Sequence, residues 1–212
     1  MALDGPSASG KSTIAKRLAK NLHIDYLDTG AMYRALAFKI LRDKIDYNNI
    51  ADIKMLLNKT YIDYHDGNAY LDGKKLGDEI RTADVTKIAS DISSHPEVRK
   101  KLVELQKKIG EKRSVVADGR DVGTNIFKDA KYKFFMTADM EVRAKRRYKE
   151  LLKIDKNTDE KTILEDIKIR DHNDTNRKYN PLKKAIDAVE IDTTKLSINE
   201  VVKKIESYIN KK

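Results

Sequence analysis

The chain has 212 residues, of which 40% are apolar and 37% charged, with 44 Lys and Arg against 34 Asp and Glu for a formal charge of +10. That length and mixture suit one α/β domain with a densely charged surface, and the positive balance calls for an anionic partner. Disulfides and thiolate metal sites are excluded because there is no cysteine. No stretch approaches the ~20 apolar residues that span a bilayer, and no basic segment leading into an apolar run is visible at the start. The expected location is therefore cytoplasmic.

The distribution of charge narrows the partner. Lysines are scattered over most predicted helices, and the densest basic stretch is Arg143, Lys145, Arg146, Arg147 and Lys149. A nucleic-acid module interleaves exposed aromatics with such charges, whereas this stretch carries only Tyr148. Small phosphorylated ligands account better for the arginines. Neither a membrane nor a specific nucleic acid is expected as a partner.

In chain order, strand and helix patterns alternate, which argues for a parallel sheet with crossover helices. The first strand, Met1–Leu3, is short for the central strand of such a sheet. It runs into Gly5-Pro6-Ser7-Ala8-Ser9-Gly10-Lys11-Ser12, a full G-x-x-x-x-G-K-[ST] phosphate-binding loop. Two glycines let the backbone curl so that successive N–H groups cradle polyphosphate oxygens. Lys11 would reach the β- and γ-phosphates, and the Ser12 hydroxyl can ligate Mg²⁺. Ile14, Ala15, Leu18, Ala19 and Leu22 then form one apolar stripe, predicting a helix over Lys11–Leu22 whose N-terminus favours anions. This is a nucleoside-triphosphate site.

A strand is predicted near Tyr26–Leu27, ending in Asp28-Thr29-Gly30, and a helix over Ala31–Leu41 with Leu36, Ile40 and Leu41 toward the core. From Tyr61 to Leu76 the pattern becomes a small β insertion, with one strand of period two, a turn at Gly67-Asn68, a second strand at Tyr70-Leu71 and a turn at Asp72-Gly73. Helices are predicted over Ala83–Ser93 and Glu97–Ile109, the second opened by Pro96. Val115–Ala117 and Tyr132–Met136 read as buried strands. A charged helix over Met140–Leu152 and another over Asp159–Asn173 are joined by a polar link, Asp155–Thr158. Ala188–Ile191 is the last strand and Ile198–Ile209 an amphipathic closing helix. The economical fold is a three-layer α/β domain of about five core strands with the phosphate loop after the first.

Several charged residues fall where chemistry would need them. Asp118 ends an apolar strand, where a carboxylate can hold Mg²⁺ through water, although a strand-ending turn before Gly119 also favours aspartate. Arg120 and Asp121 follow on the same loop, at the carboxyl end of the sheet where ligands of open α/β sheets bind. Arg34 stands four residues after Gly30 and could fork onto a phosphate, or simply pair with a nearby acid. Arg143 and Arg147 share a helical face, and Arg170 and Arg177 flank the end of the next helix. Such a run is either a solvated basic face or a lid that closes on the migrating phosphoryl group and excludes water. The four histidines (His23, His65, His95, His172) share no metal-ligand spacing and read as surface or packing residues.

Taken together, DGPSASGKST (Asp4–Thr13), YLDTGAMYR (Tyr26–Arg34), EIRT (Glu79–Thr82), HPEVR (His95–Arg99), ADGRDVGT (Ala117–Thr124), RAKRRY (Arg143–Tyr148), RDHNDTNR (Arg170–Arg177), Pro181-Leu182 and IDTT (Ile191–Thr194) resemble the bacterial cytidylate kinases over nearly the whole chain. The resemblance implies a single P-loop kinase domain over residues 1–212, with a five-stranded parallel sheet, a monophosphate-binding insertion at about 31–110 containing short β-strands, and a helical lid at about 143–180. It implies a monomer that transfers the γ-phosphoryl of ATP to CMP or dCMP with Mg²⁺. Carried over by position, residues Gly5 to Thr13 bind the donor, with Pro6, Ser7, Ala8, Ser9 and Gly10 in the loop itself and Ser12 and Asp118 at the metal. Ser90, Arg99 and Asp121 match residues that contact cytosine, whose amino donor suits a carboxylate and whose acceptors suit arginine and serine. Arg34, Arg120 and Arg177 match the acceptor-phosphate site, with Thr29 beside it, and Asp174 and Arg170 match the sugar contacts. Lys11, Arg120, Arg143, Arg147, Arg170 and Arg177 would stabilise the transferring group. Two features depart from the family pattern, the short first strand and the polar start of Asn125-Ile126-Phe127, where altered local packing is expected. The rival readings are a kinase of the same fold for another monophosphate such as UMP, and a nucleotide-dependent switch that binds RNA.

Overall fold

The computed structural model describes residues 1–152 and 159–210, and the predicted link Asp155–Thr158 lies outside them. Five strands form one parallel sheet in the order β2-β6-β1-β7-β8, with β1 at Ala2–Asp4, β2 at Asp25–Asp28, β6 at Val115–Gly119, β7 at Lys133–Thr137 and β8 at Val189–Asp192. Three further strands, β3 (Ile62–His65), β4 (Asn68–Leu71) and β5 (Lys74–Lys75), form a separate antiparallel sheet. The helices are α1 (Lys11–Leu22), α2 (Thr29–Arg42), α3 (Ile50–Asn58), α4 (Ala83–Ile92), α5 (Pro96–Lys112), α6 (Met140–Leu151), α7 (Glu160–Asn176) and α8 (Ile198–Ile209). A short 3₁₀ turn covers Asp78–Arg81 and a π-helical turn Val122–Ile126. The chain divides into two compact units, Met1–Leu22 with Asp118–Lys212, and His23–Ala117.

In the first unit, β1 is short but buried at all three positions, which a central strand covered on both faces requires. Its register with β7 pairs Leu3 with Phe134 and Asp4 with Phe135, and β7 pairs onward with β8 through Met136 and Ile191. Leu3, Phe134, Met136 and Ile191 are all nearly inaccessible to water. The predicted stripe of α1 is buried at Ile14, Ala15, Leu18 and Ala19. Helix α8 is fixed at its start by a capping box in which Ser197 and Glu200 each satisfy the other's backbone N–H. Helices α6 and α7 share a small core of their own, Ala144, Ile163 and Ile167.

In the second unit, α2 starts two residues earlier than predicted because Asp28 caps it, accepting from the Ala31 N–H at 2.8 Å. Leu36 and Ile40 are buried as expected, but Leu41 is 42% exposed, since it follows Ile40 round the helix and off the apolar face. The turn expected at Gly67-Asn68 lies one residue earlier, at Asp66-Gly67, with Asn68 opening β4. Asp66 and Gly67 both have positive φ (52° and 71°), as do Asp72 and Gly73 (49° and 81°). Two such residues in succession are what a tight hairpin turn demands, and Asp-Gly supplies them. Helix α3 and the edge strand β5, whose two lysines are exposed, were not expected; a two-residue polar strand has no hydrophobic alternation to reveal it.

Candidate active site around the phosphate loop

The phosphate loop is held by close approach at one end and by internal hydrogen bonds along its length. Gly5 has φ +151°, and a Cβ placed there would lie 2.1 Å from the Met136 carbonyl oxygen, so no side chain fits. Gly10, at φ +90°, releases the chain into α1, where the Ile14 N–H returns to the Gly10 carbonyl at 3.1 Å. The Lys11 side chain folds back over the loop and donates to the Pro6 carbonyl at 2.6 Å and to Ser9 Oγ at 3.2 Å. Lys11 is buried, and desolvation, aided by the positive charges of Arg120 and Arg170, pushes its ammonium down to about 7 despite Asp118 and Asp174 nearby. One residue on, the exposed Ser12 hydroxyl donates to Asp118 Oδ2 at 2.8 Å, which brings together the two oxygens read from the sequence as metal ligands. Thr13 is exposed in the first turn of α1.

A second cluster of charge lies on the same unit. Arg170 and Asp174 lie one turn apart on a face of helix α7, and Arg177 follows as the residue that caps its end. Asp174 is buried and accepts from Arg120 Nε at 2.6 Å, while Arg177 donates from Nη2 to Asp121 Oδ1 at 3.0 Å and approaches Asp174 to 4.0 Å. Burial works to raise the Asp174 carboxyl, but Arg120, Arg170 and Arg177 hold it below the usual carboxylate range. Asp121 also accepts from Asn125 Nδ2 at 2.9 Å, so the polar start of the departing segment supports the candidate base-reading carboxylate. Below this loop the buried Asp4 takes the Val122 and Gly123 N–H groups at 2.8 and 2.7 Å, one on each oxygen. Its carboxyl is raised to about 6, by desolvation above all and by the neighbouring Asp121.

The three arginines of α6 part company. Arg143 is buried and donates from Nη1 to the Ser7 carbonyl at 3.1 Å and to Asp171 Oδ2 at 2.5 Å, and from Nε to Ala138 at 2.9 Å. Arg146 grips Thr193, both hydroxyl and carbonyl, at 3.0 and 2.6 Å. Thr193 in turn lies 3.2 Å from the Ser9 carbonyl. Arg147 pairs with Glu150 at 3.3 Å and keeps more of its surface in solvent. Sharing a helical face with Arg143 has not given Arg147 the same partners.

In the second unit, Thr29 is the buried first residue of α2, and its carbonyl faces Gln106 Nε2 at 3.4 Å. Arg34 donates to Asp28 Oδ2 at 2.8 Å, so the aspartate that caps the helix also holds the arginine. Burial favours the neutral Asp28 acid, but Arg34 and the Ala31 N–H outweigh it and keep its carboxyl below the usual range. Ser90 lies half-buried on α4, and Arg99, buried on α5, donates to the Ser93 carbonyl just beyond α4 at 3.3 Å. The pairing of Arg34 with an acid and its use on a phosphate, set against each other by the sequence, are compatible, because Asp28 engages only one edge of the guanidinium.

A model of the family described as cytidylate kinase matches residues 1–211. A cytidylate kinase of Clostridioides difficile is 50% identical over 210 residues, covering 99% of this chain and 97% of the relative. This chain belongs to the cytidylate kinase family. The cytidylate kinase of Fervidobacterium nodosum is 47% identical over 212 residues, covering 100% of this chain and 96% of that one. Among solved structures, an uncharacterized protein from Eubacterium ventriosum shares the fold with a TM-score of 0.53 at 17% identity, covering 100% of this chain and 98% of that one.

Sequence reasoning passed over Asp4, Asp28, Asp171 and Thr193. Asp28 carried a usable signal, a helix-capping aspartate immediately before a helical stripe. Asp171 could have been placed on the Asp174 face of α7 by its three-residue spacing. Thr193 and Asp4 have only their positions at the ends of strands, where many polar residues fall for reasons of local structure.

Proposed function

We propose that this cytidylate kinase transfers the γ-phosphoryl group of ATP to CMP or dCMP, giving ADP and the diphosphate, as a cytoplasmic monomer. Among the described residues no helix is long and apolar enough to cross a membrane. The acceptor oxygen is already ionised at neutral pH, so the protein needs no dedicated base, and positioning and charge neutralisation carry the rate. The loop residues Gly5 to Thr13 hold the donor, Lys11 bridging its β- and γ-phosphates. Mg²⁺ bound with ATP would neutralise developing charge, and its fit rests on the Ser12–Asp118 contact of 2.8 Å, since Mg²⁺ takes one or two protein oxygens and leaves the rest to phosphates and water. Arg120, Arg170 and Arg177 stabilise the migrating group. Arg143 acts through the loop peptide it grips, and Arg147 from the more exposed side of α6.

On the acceptor side, Arg34, Arg120 and Arg177 take the phosphate with the Thr29 hydroxyl, Asp174 and Arg170 the sugar, and Ser90, Arg99 and Asp121 the cytosine. The observation that supports this reading most is the full-length likeness to proteins named cytidylate kinase, at 50% identity. The test is ADP release with CMP, dCMP, UMP and AMP as acceptors, CMP and dCMP being expected to exceed UMP and AMP by at least ~10-fold in kcat/KM. Equal rates across the panel would overturn the choice of acceptor. Asp121→Ala, which leaves the cytosine amino group without its acceptor, should lower kcat/KM for CMP by roughly 100-fold and that for ATP far less.

A further inference from the structure

The crest of the phosphate loop is tied to helices α6 and α7 by contacts of Ala8 and Asp171 that none of the proposed catalytic roles uses. Ala8 has φ 57°, a left-handed conformation that is costly for a residue with a side chain and persists only where its surroundings fix it. Its methyl group packs against the small core of α6 and α7 formed by Ala144, Ile163 and Ile167. Immediately before it, both backbone polar groups of Ser7 are taken. The Ser7 N–H donates to Asp171 Oδ1 at 3.2 Å, and the Ser7 carbonyl accepts from Arg143 Nη1 at 3.1 Å. Arg143 and Asp171 close the ring on each other at 2.5 Å. Asp171 is 15% exposed and Arg143 6% at the side chain, so the ring is largely shielded from water.

The geometry points to Asp171 as a positioning residue for the donor, one that holds the Pro6–Ser7 peptide directly and the Ser7–Ala8 peptide through the Arg143 guanidinium, for polyphosphate binding. It does not itself touch the nucleotide in this assignment. The carboxylate is suited to the task because it holds two donors on different elements, a backbone N–H on the loop and a guanidinium on α6, with one oxygen for each. Without it, Arg143 keeps its carbonyl acceptors at Ser7 and Ala138 but loses its counter-charge, and the crest at Ala8 loses one of the contacts that hold its unfavourable conformation. Loop amides aimed at phosphate work only when aimed in advance, so a small displacement at the crest falls on donor binding first.

The inference rests on the donor half of the proposed function and not on the identity of the acceptor. It is tested by titrating Mg-ATP calorimetrically, with no acceptor present, into the wild type, Asp171→Asn and Asp171→Ala. Asn keeps an acceptor for the Ser7 N–H and loses the charge opposite Arg143; Ala loses both. The expected result is graded, with Kd for Mg-ATP raised roughly 3- to 5-fold in D171N and at least 10-fold in D171A, while KM for the acceptor stays within 2-fold. Arg143→Ala combined with D171A should weaken ATP by clearly less than the product of the two single effects, because the ring is broken once by either change. If D171A does not fold, D171N and its combination with R143A carry the comparison. Wild-type affinity in D171N and D171A, tighter ATP binding in either, or equal losses for ATP and acceptor would each overturn the positioning role. Failure of the wild type itself to bind Mg-ATP would overturn the donor reading instead.

Discussion

The two compact units hold the arginines of the proposed site in different ways. In the unit that contains the phosphate loop, buried or half-buried arginines are held against carboxylates on other elements: Arg120 on Asp174, Arg177 on Asp121 and Arg143 on Asp171. In the other unit, Arg99 is buried with its guanidinium on a backbone carbonyl, and Arg34 leans on a helix-capping aspartate six residues away in sequence. The first arrangement gathers charges of both signs from distant parts of the chain into one network. The second fixes each cation with material already present in a neighbouring turn. A network of this kind resists loss of its members, because removing one carboxylate strands cations that have already left water. A local device fails more gently and nearer to a single ligand.

The sharpest way to break the contrast is Asp174→Ala. Arg120 loses the acceptor at 2.6 Å and Arg177 its neighbour at 4.0 Å, so unfolding in urea should show a loss of about 3–5 kcal/mol together with activity toward every acceptor. A loss below about 1 kcal/mol would mean that the network contributes little to holding the unit together. In the other unit, Asp28→Asn keeps an oxygen for the Ala31 N–H, and Asn caps helices about as well as Asp. Stability should change by less than about 1 kcal/mol, whereas the charge steering Arg34 is gone. Steady-state kinetics should show KM for CMP rising about 10-fold, the equivalent of ~1.4 kcal/mol, with KM for ATP within 2-fold. A matching rise for ATP would remove the distinction between the two units.

A separate effect concerns pH. Asp4 titrates at about 6 in the folded chain against 3.8 for a free carboxyl, so between those values the fold holds more protons than the unfolded chain. Its contribution to stability is therefore full below pH 3.8 and is lost as the pH rises through 6, on the order of 3 kcal/mol in all. Thermal melts from pH 4 to 7 should show this downward component in the wild type and not in Asp4→Asn. Lys11 gives the opposite slope above that range. Its folded value of about 7 lies below the ordinary 10.5, so the unfolded chain holds the extra proton and stability rises with pH across that interval.

Much of this was legible in the sequence, and the part that was not has a common cause. Periodicity located α1 and α8 to the residue and put the core strands within one or two positions, since burial of a stripe or a strand leaves its mark on every side chain involved. The phosphate-loop motif was legible as a string of residues, whereas Asp174 entered only through the resemblance to the family. What the sequence withheld were pairings between distant residues: Asp171 with Ser7, 164 residues apart, and Arg146 with Thr193, 47 apart. A carboxylate on a charged helix has the same local signature whether it faces water or the backbone of another element. The turn at Asp66-Gly67 was missed by one residue for a different reason, because both Asp-Gly and Gly-Asn are plausible turn pairs and only the backbone angles distinguish them.

The ammonium group of Lys11 is already employed, on the Pro6 carbonyl at 2.6 Å and the Ser9 hydroxyl at 3.2 Å. In the proposed donor site an incoming nucleotide would take the third N–H of this ammonium directly, and the other two only by exchange with the loop. Exchange would replace a neutral oxygen by a charged one, and a charged acceptor makes roughly twice the bond of a neutral one. An uncharged molecule of the right shape gains almost nothing from the trade, whereas a polyanion gains at every step and also restores the proton that burial had loosened. In the proposed donor site selection would thus act on electric charge before it acts on form.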